Sequence, residues 1–175
     1  MNDMLNAAAA PTFDQPLEML YACHDRITAQ CDTLDRLVAH LLVQGNDTQA
    51  AQAARAILRY FDTAGRHHHD DEEQDLFPAL LAVGDSGAAA HVERLLDEHK
   101  ALDAAWQALR PQLAAIEQAC ADTIDADVAA HLIASYARHI AFENGTLLPL
   151  AQTLLDEATL QRIGRNMAAR RGVTA

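Results

Sequence analysis

Apolar residues recur along this chain at intervals of three and four, and a histidine breaks the pattern at intervals. From Pro16 to Gln44 the stripe is Leu17, Leu20, His24, Ile27, Cys31, Leu34, Val38 and Leu41. That spacing keeps the side chains on one helical face. Pro16 suits a first helical position, and Gly45-Asn46-Asp47-Thr48 ends this helix and caps the next. A second helix is predicted from about 48 to 81. It carries Ile57, Phe61, Ala64, His68, Glu72, Leu76 and Leu80 on one face. Pro78 lies inside the pattern and should kink it. After the Gly84-Asp85-Ser86-Gly87 turn, a third helix is predicted from about 88 to 120. Its stripe is Leu95, His99, Leu102, Trp106, Leu109, Leu113, Ile116 and Cys120, with a bend at Pro111. A fourth, from about 125 to 155, presents Val128, Leu132, Ser135, His139, Glu143, Leu147 and Leu150. A short fifth helix would turn Leu160, Ile163 and Met167 inward.

Four amphipathic helices with short connections predict an all-α, up-down-up-down four-helix bundle, followed by a short C-terminal fifth helix. Residues 1–15 lack a sustained period and read as a mobile lead-in. Residues 16–155 form the bundle, and 156–175 the short helix and tail.

Composition agrees with helix. The chain has 175 residues, half of them apolar, and only 7 glycines. That is enough for one domain with a sizeable core. A formal net charge of −12 argues against a nucleic-acid surface or anionic lipid. Arg162, Arg165, Arg170 and Arg171 make the last segment locally basic, read as a solvated helix end. No apolar run is long enough to span a membrane, and no basic segment precedes an apolar core at the N-terminus. The expected location is the cytoplasm. Cys23 and Cys31 would lie roughly 12 Å apart along one helix, beyond disulfide reach. All three thiols are expected to be free.

The chemistry lies in a repeated frame. His68-x-x-x-Glu72-x-x-x-Leu76-Phe77-Pro78 returns as His139-x-x-x-Glu143-x-x-x-Leu147-Leu148-Pro149. Residues four apart share a helical face, so each frame aims an imidazole and a carboxylate at one point. His24 answers His99 as the lone histidine of each half. Counted from the turns at about 1.5 Å per residue, all four histidines reach similar heights in antiparallel neighbours. Two carboxylates and four imidazoles buried together without a cation are costly. They form a ligand set for a pair of first-row transition-metal ions. Ferritin-like sites use lone glutamates and a Glu-x-x-His order, a poorer match.

These motifs, with Glu98-His99-x-x-Leu102, resemble the hemerythrin family, specifically the bacterial hemerythrin-like HHE cation-binding domains. The resemblance spans about residues 16 to 155. It implies a non-haem centre of two iron ions with a bridging oxo or hydroxo species. Glu72 and Glu143 would bridge the irons, with His24, His68, His99 and His139 as terminal ligands. The implied partner is dioxygen or a related small species such as peroxide or nitric oxide, bound for sensing, scavenging or transient storage. Iron storage, delivery or iron-centre repair is the alternative, and a di-iron peroxidase-type enzyme a second. A structural module holding incidental zinc is a third. With no output domain attached, direct signalling would need a protein partner. The chain departs from the oxygen carriers at two positions. Asp103 stands where they have a second histidine, and Glu143 follows its histidine by four residues rather than five as an aspartate. Both departures point away from reversible oxygen carriage.

Other residues are read more plainly. Asp103 is a further candidate ligand, an acceptor for a ligand's N–H, or merely exposed. His67 and His69 point to other faces, although His69 and Glu73 form a parallel frame one residue out of register. His40, His91 and His131 read as surface or supporting residues. Apart from Glu72, the acidic run from Asp70 to Asp75 reads as a solvated face. Tyr21, Tyr136, Phe61, Trp106 and Phe142 read first as core.

Overall fold

The computed structural model describes residues 10–173; residues 1–9 of the expected lead-in and the last two residues of the tail lie outside the described residues. The described chain is helical, with no strand among the described residues. Five helices carry it: α1 (Pro16–Gln44), α2 (48–83), α3 (Ser86–Glu117), α4 (126–154) and α5 (Glu157–Arg170). Each helix after the first opens on an aspartate cap. Asp47, Asp85, Asp125 and Asp156 accept backbone N–H groups of the first turn, which otherwise have no intrahelical partner. α1 packs on α2, α2 on α3, α3 on α4, and α4 returns to α1. α5 lies against α1 and α2. No helix among the described residues is long and apolar enough to cross a membrane.

α2 and α4 are not uniform. α2 widens into a π turn at Phe61–Gly65 and again at Glu72–Leu76, and α4 does so at Glu143–Leu147. The second and third of these follow the repeated frame: each begins at the glutamate and ends just before the Phe77-Pro78 or Leu148-Pro149 pair. A proline inside a helix has no N–H to donate, and its ring crowds the carbonyl four residues back. One wider turn absorbs that conflict, so the expected kink at Pro78 takes the form of a π turn. Pro111, within α3, is exposed and the helix continues through it.

The core falls into two apolar clusters. One gathers Ile27, Leu34, Ile57, Phe61, Leu102, Trp106, Leu109, Leu132 and Tyr136 with their neighbours. The other gathers Leu20, Leu76, Phe77, Leu80, Leu95, Leu147, Leu148, Ile163 and Met167. Between the clusters each bundle helix carries candidate ligands: His24 on α1, His68 and Glu72 on α2, His99 on α3, and His139 and Glu143 on α4. The buried polar layer thus has packed hydrocarbon above and below.

Three sequence expectations change. α3 ends at Glu117, so Cys120 is exposed rather than part of its stripe. Leu37 rather than Val38 fills the buried position in the last turns of α1. Arg170 and Arg171 are not a solvated helix end, nor is Asp71 on a solvated face. Asp71 is wholly buried, and both arginines close on it. A buried carboxylate needs such partners, and they come from α5, a helix about 100 residues away in sequence. The three thiols are unpaired, Cys23 and Cys31 buried.

Candidate metal centre

Six residues singled out by the repeat converge. His24, His68, Glu72 and Glu143 form one group whose ligand atoms all lie within 4.8 Å of one another, and Glu72, His99, His139 and Glu143 form a second. Both glutamates belong to both groups. All six side chains are buried. α1 contributes His24, α2 His68 and Glu72, α3 His99, and α4 His139 and Glu143.

The inward-facing atoms have no hydrogen-bond partners. Nε2 of His24, His68, His99 and His139 and both oxygens of Glu72 and Glu143 are buried and unpartnered. They crowd together nonetheless: His24 Nε2 lies 3.0 Å from Glu143 Oε2, His139 Nε2 3.2 Å from the same oxygen, and His99 Nε2 3.4 Å from Glu72 Oε2. These contacts are close but not aligned as hydrogen bonds, which marks converging lone pairs rather than a self-satisfied polar network. Three of the four outward-facing nitrogens are held, while His68 Nδ1 is buried without a partner. His24 Nδ1 pairs with Asn144 Oδ1 at 2.6 Å, His99 Nδ1 with Glu73 Oε1 at 2.8 Å, and His139 Nδ1 with Glu98 Oε2 at 3.0 Å. An acceptor on Nδ1 fixes the tautomer that leaves Nε2 free to ligate.

Electrostatics favours a cation here. Burial, reinforced by the charge of Glu143, pushes the Glu72 carboxyl well above its usual range. Burial also opposes ionisation of Glu143, but contacts with His139 and His24 outweigh it and hold that carboxyl well below. Burial drives His68 well below the ordinary histidine value, and the neighbouring His24 and His69 add to the effect. Burial thus disfavours charge on Glu72, a penalty that bound cations would offset. The donor set, imidazole nitrogens with two shared carboxylates, fits first-row transition metals.

Two further sequence expectations meet different outcomes. Asp103 is exposed, stands outside every group and accepts only from Gln107 Nε2 at 3.5 Å. His69, expected on another face, reaches the centre. One of its ring nitrogens groups with His99 and His139, and its ring stacks on that of His99 at 4.1 Å. Consecutive helical side chains stand about 100° apart, so His68 and His69 straddle the inward direction, one beside His24 and the other beside His99. The alternative frame is also used, in another way: Glu73 lies outside the centre and holds His99. The pairings of Glu73, Glu98 and Asn144 with the histidines had no signal in spacing, because each joins residues on different helices.

The fold and this centre define a helical, histidine- and carboxylate-lined metal-binding protein. Residues 15–151 match the hemerythrin HHE cation binding domain, and the chain belongs to that family. It is also 35% identical over 162 residues to an uncharacterized protein of Haemophilus influenzae, a match covering 93% of each chain.

Proposed function

We propose that the centre holds two iron ions and takes up dioxygen or a related small species, peroxide or nitric oxide, for sensing, scavenging or transient storage. His24 and His68 would hold one ion and His99 and His139 the other, with Glu72 and Glu143 available to both. The observation that carries this reading is the convergence of buried, unpartnered nitrogens and carboxylate oxygens into two groups sharing both glutamates. Iron in such a site supplies one-electron chemistry toward oxygen species. The protein's part is to fix the imidazole tautomers through Asn144, Glu73 and Glu98, and to keep water out with the two apolar clusters. The acidic charge and unpaired thiols support a cytoplasmic setting.

Elemental analysis of protein made with iron available tests the reading. Two irons per chain are expected, with sharply lower occupancy in His68→Ala and Glu143→Ala. One tightly bound zinc, unchanged in both variants, would refute it. Stopped-flow absorption of the reduced, anaerobic protein mixed with oxygen then separates uses. Rapid oxidation without a durable adduct supports sensing or scavenging, and a long-lived reversible adduct supports carriage.

One feature favours iron handling as a second reading. A surface recess of about 260 Å³ between α2 and α3 is lined by Asp70, Glu73 and Asp103, by Arg66 and Lys100, and by His69 and His99. It would give an ion a side approach to His69 and His99 past three carboxylates and two cations. Transfer of iron from the loaded protein to an acceptor, faster than release to buffer, would support this use.

A further inference from the structure

We propose that His69 is a terminal ligand of the second ion, so that the centre binds three imidazoles at one metal and two at the other. This rests on the metal-centre reading above. Neither the repeat nor the family pattern assigns a role to this residue: the matching position of the second frame is Ile140.

Four observations carry it. The His69 Nε2 atom is buried and has no hydrogen-bond partner. A histidine retained for packing satisfies its buried ring nitrogen, since an orphaned one costs about 1–3 kcal/mol. A ring nitrogen of His69 lies with one of His99 and one of His139 inside a 4.8 Å group, the arrangement of three donors around one ion. The ring is stacked on His99 and lies edge-on to His139, so it enters the layer from the same side as the ligands it would join. Finally, α3 brings no second imidazole to the centre: its other histidine, His91, packs against Phe142. Asp103, one turn beyond His99, is exposed and bound to Gln107. His69 fills that side of the centre from α2 instead, between the surface recess and the ion.

The π turn at Phe61–Gly65 explains how α2 can do this. It lies one turn before the histidines and advances the helix by one residue relative to an α-helical wheel. Gly65, buried inside it, has little room for a side chain, because a Cβ there would sit 3.3 Å from the Phe61 ring. The resulting phase places the inward direction between His68 and His69 rather than on His68 alone.

The test uses iron-loaded protein and zinc-loaded protein. In the iron form, wild type, His69→Ala and His69→Gln are compared for iron content and for release to a ferrous chelator. His67→Ala serves as the control. Loss of one iron, or release faster by at least about tenfold, is expected only in the His69 variants. In zinc-loaded wild type, nitrogen NMR of the histidine side chains should show the His69 Nε2 resonance at a metal-bound shift alongside those of His99 and His139. This measurement does not depend on a variant folding. If His69 Nε2 keeps a free-imidazole shift while the other two are bound, the assignment is overturned. Both His69 variants holding two irons with unchanged release and absorption spectrum would overturn it equally. A wild-type protein that binds no metal pair would instead refute the reading of the centre itself.

Discussion

The carboxylate of Asp71 meets the guanidinium of Arg171 through two contacts, Oδ2 to Nη2 at 2.6 Å and Oδ1 to Nη1 at 3.1 Å. Arg170 reaches the same carboxylate and also Asp75 Oδ2 at 2.7 Å. Asp71 immediately precedes Glu72, so the last turn of α5 is tied to the backbone that delivers a shared carboxylate of the metal centre.

This tie predicts an ordering of stabilities. Replacing both Arg170 and Arg171 by alanine leaves Asp71 buried without a cation, at a cost of about 3–5 kcal/mol. Asp71→Ala leaves two arginines that can swing to solvent, since they are already partly exposed, and it should cost less. Urea unfolding of the metal-free proteins measures both. If Asp71→Ala proves the more damaging change, the carboxylate is not what the clasp stabilises.

The other end of the α5 contact is steric. Gly164 faces the lead-in so closely that a Cβ there would overlap the carbonyl oxygen of Phe13. Gly164→Ala must push α5 from residues 13–16, with an expected loss of about 1–3 kcal/mol. Gly145 is helical and has open space where a side chain would go, so Gly145→Ala is the control. Equal thermal melting of Gly164→Ala and wild type would show that the lead-in yields without cost.

These relationships show what was legible in the sequence. The apolar stripes placed four long helices within a few residues, because burial of one face is written locally at helical spacing. The repeated frame and the two lone histidines picked out six of the residues that converge. Spacing alone could not show His69, because its direction depends on a π turn that shifts the phase of α2. Nor could it show Arg171 on Asp71 or Glu98 on His139. Those partners meet only after the helices pack, and charged residues on a helical wheel look the same whether they face solvent or another helix.

A further pair fixes the first π turn of α2 to α3. Arg110 grips Asp62 through Nη2–Oδ2 at 2.8 Å and Nε–Oδ1 at 3.0 Å, and Trp106 Nε1 donates to Asp62 Oδ1 at 3.2 Å. The bond from Arg110, outweighing burial and aided by Trp106, holds the Asp62 carboxyl below the usual carboxylate range. A lowered folded value means that the pair stabilises the fold above the unfolded value, about 3.9, and loses that effect as pH falls through the folded value. Both side chains are partly exposed, so Asp62→Asn should cost only about 0.5–1 kcal/mol at pH 7, roughly 1–4 °C in melting temperature. The gap between wild type and variant should narrow as pH falls below about 3.9 and through the lowered folded value. A gap that persists unchanged at pH 2.5 would assign the effect to packing instead of charge.

The last prediction concerns the carboxylates outside the centre. Glu98 accepts from His139 Nδ1, but it also pairs with Arg94 at 2.7 Å, and Arg94 lies 3.7 Å over the Phe142 ring. The negative charge felt by His139 is thus partly cancelled. A carboxylate on the far nitrogen makes an imidazole a stronger donor and favours the more highly charged metal. Removing it favours the reduced state. Glu98→Gln should therefore raise the reduction potential of the iron-loaded protein, and Glu73→Gln should do the same through His99. Arg94→Ala frees the full charge of Glu98 and should lower the potential. Metal affinity should fall about 10–100-fold in the two glutamine variants and be held in Arg94→Ala. Potentiometric titration of the three variants decides the matter through the opposed signs. A merely structural role for this chain of contacts would loosen the site in Glu98→Gln and Arg94→Ala alike, moving both potentials in one direction.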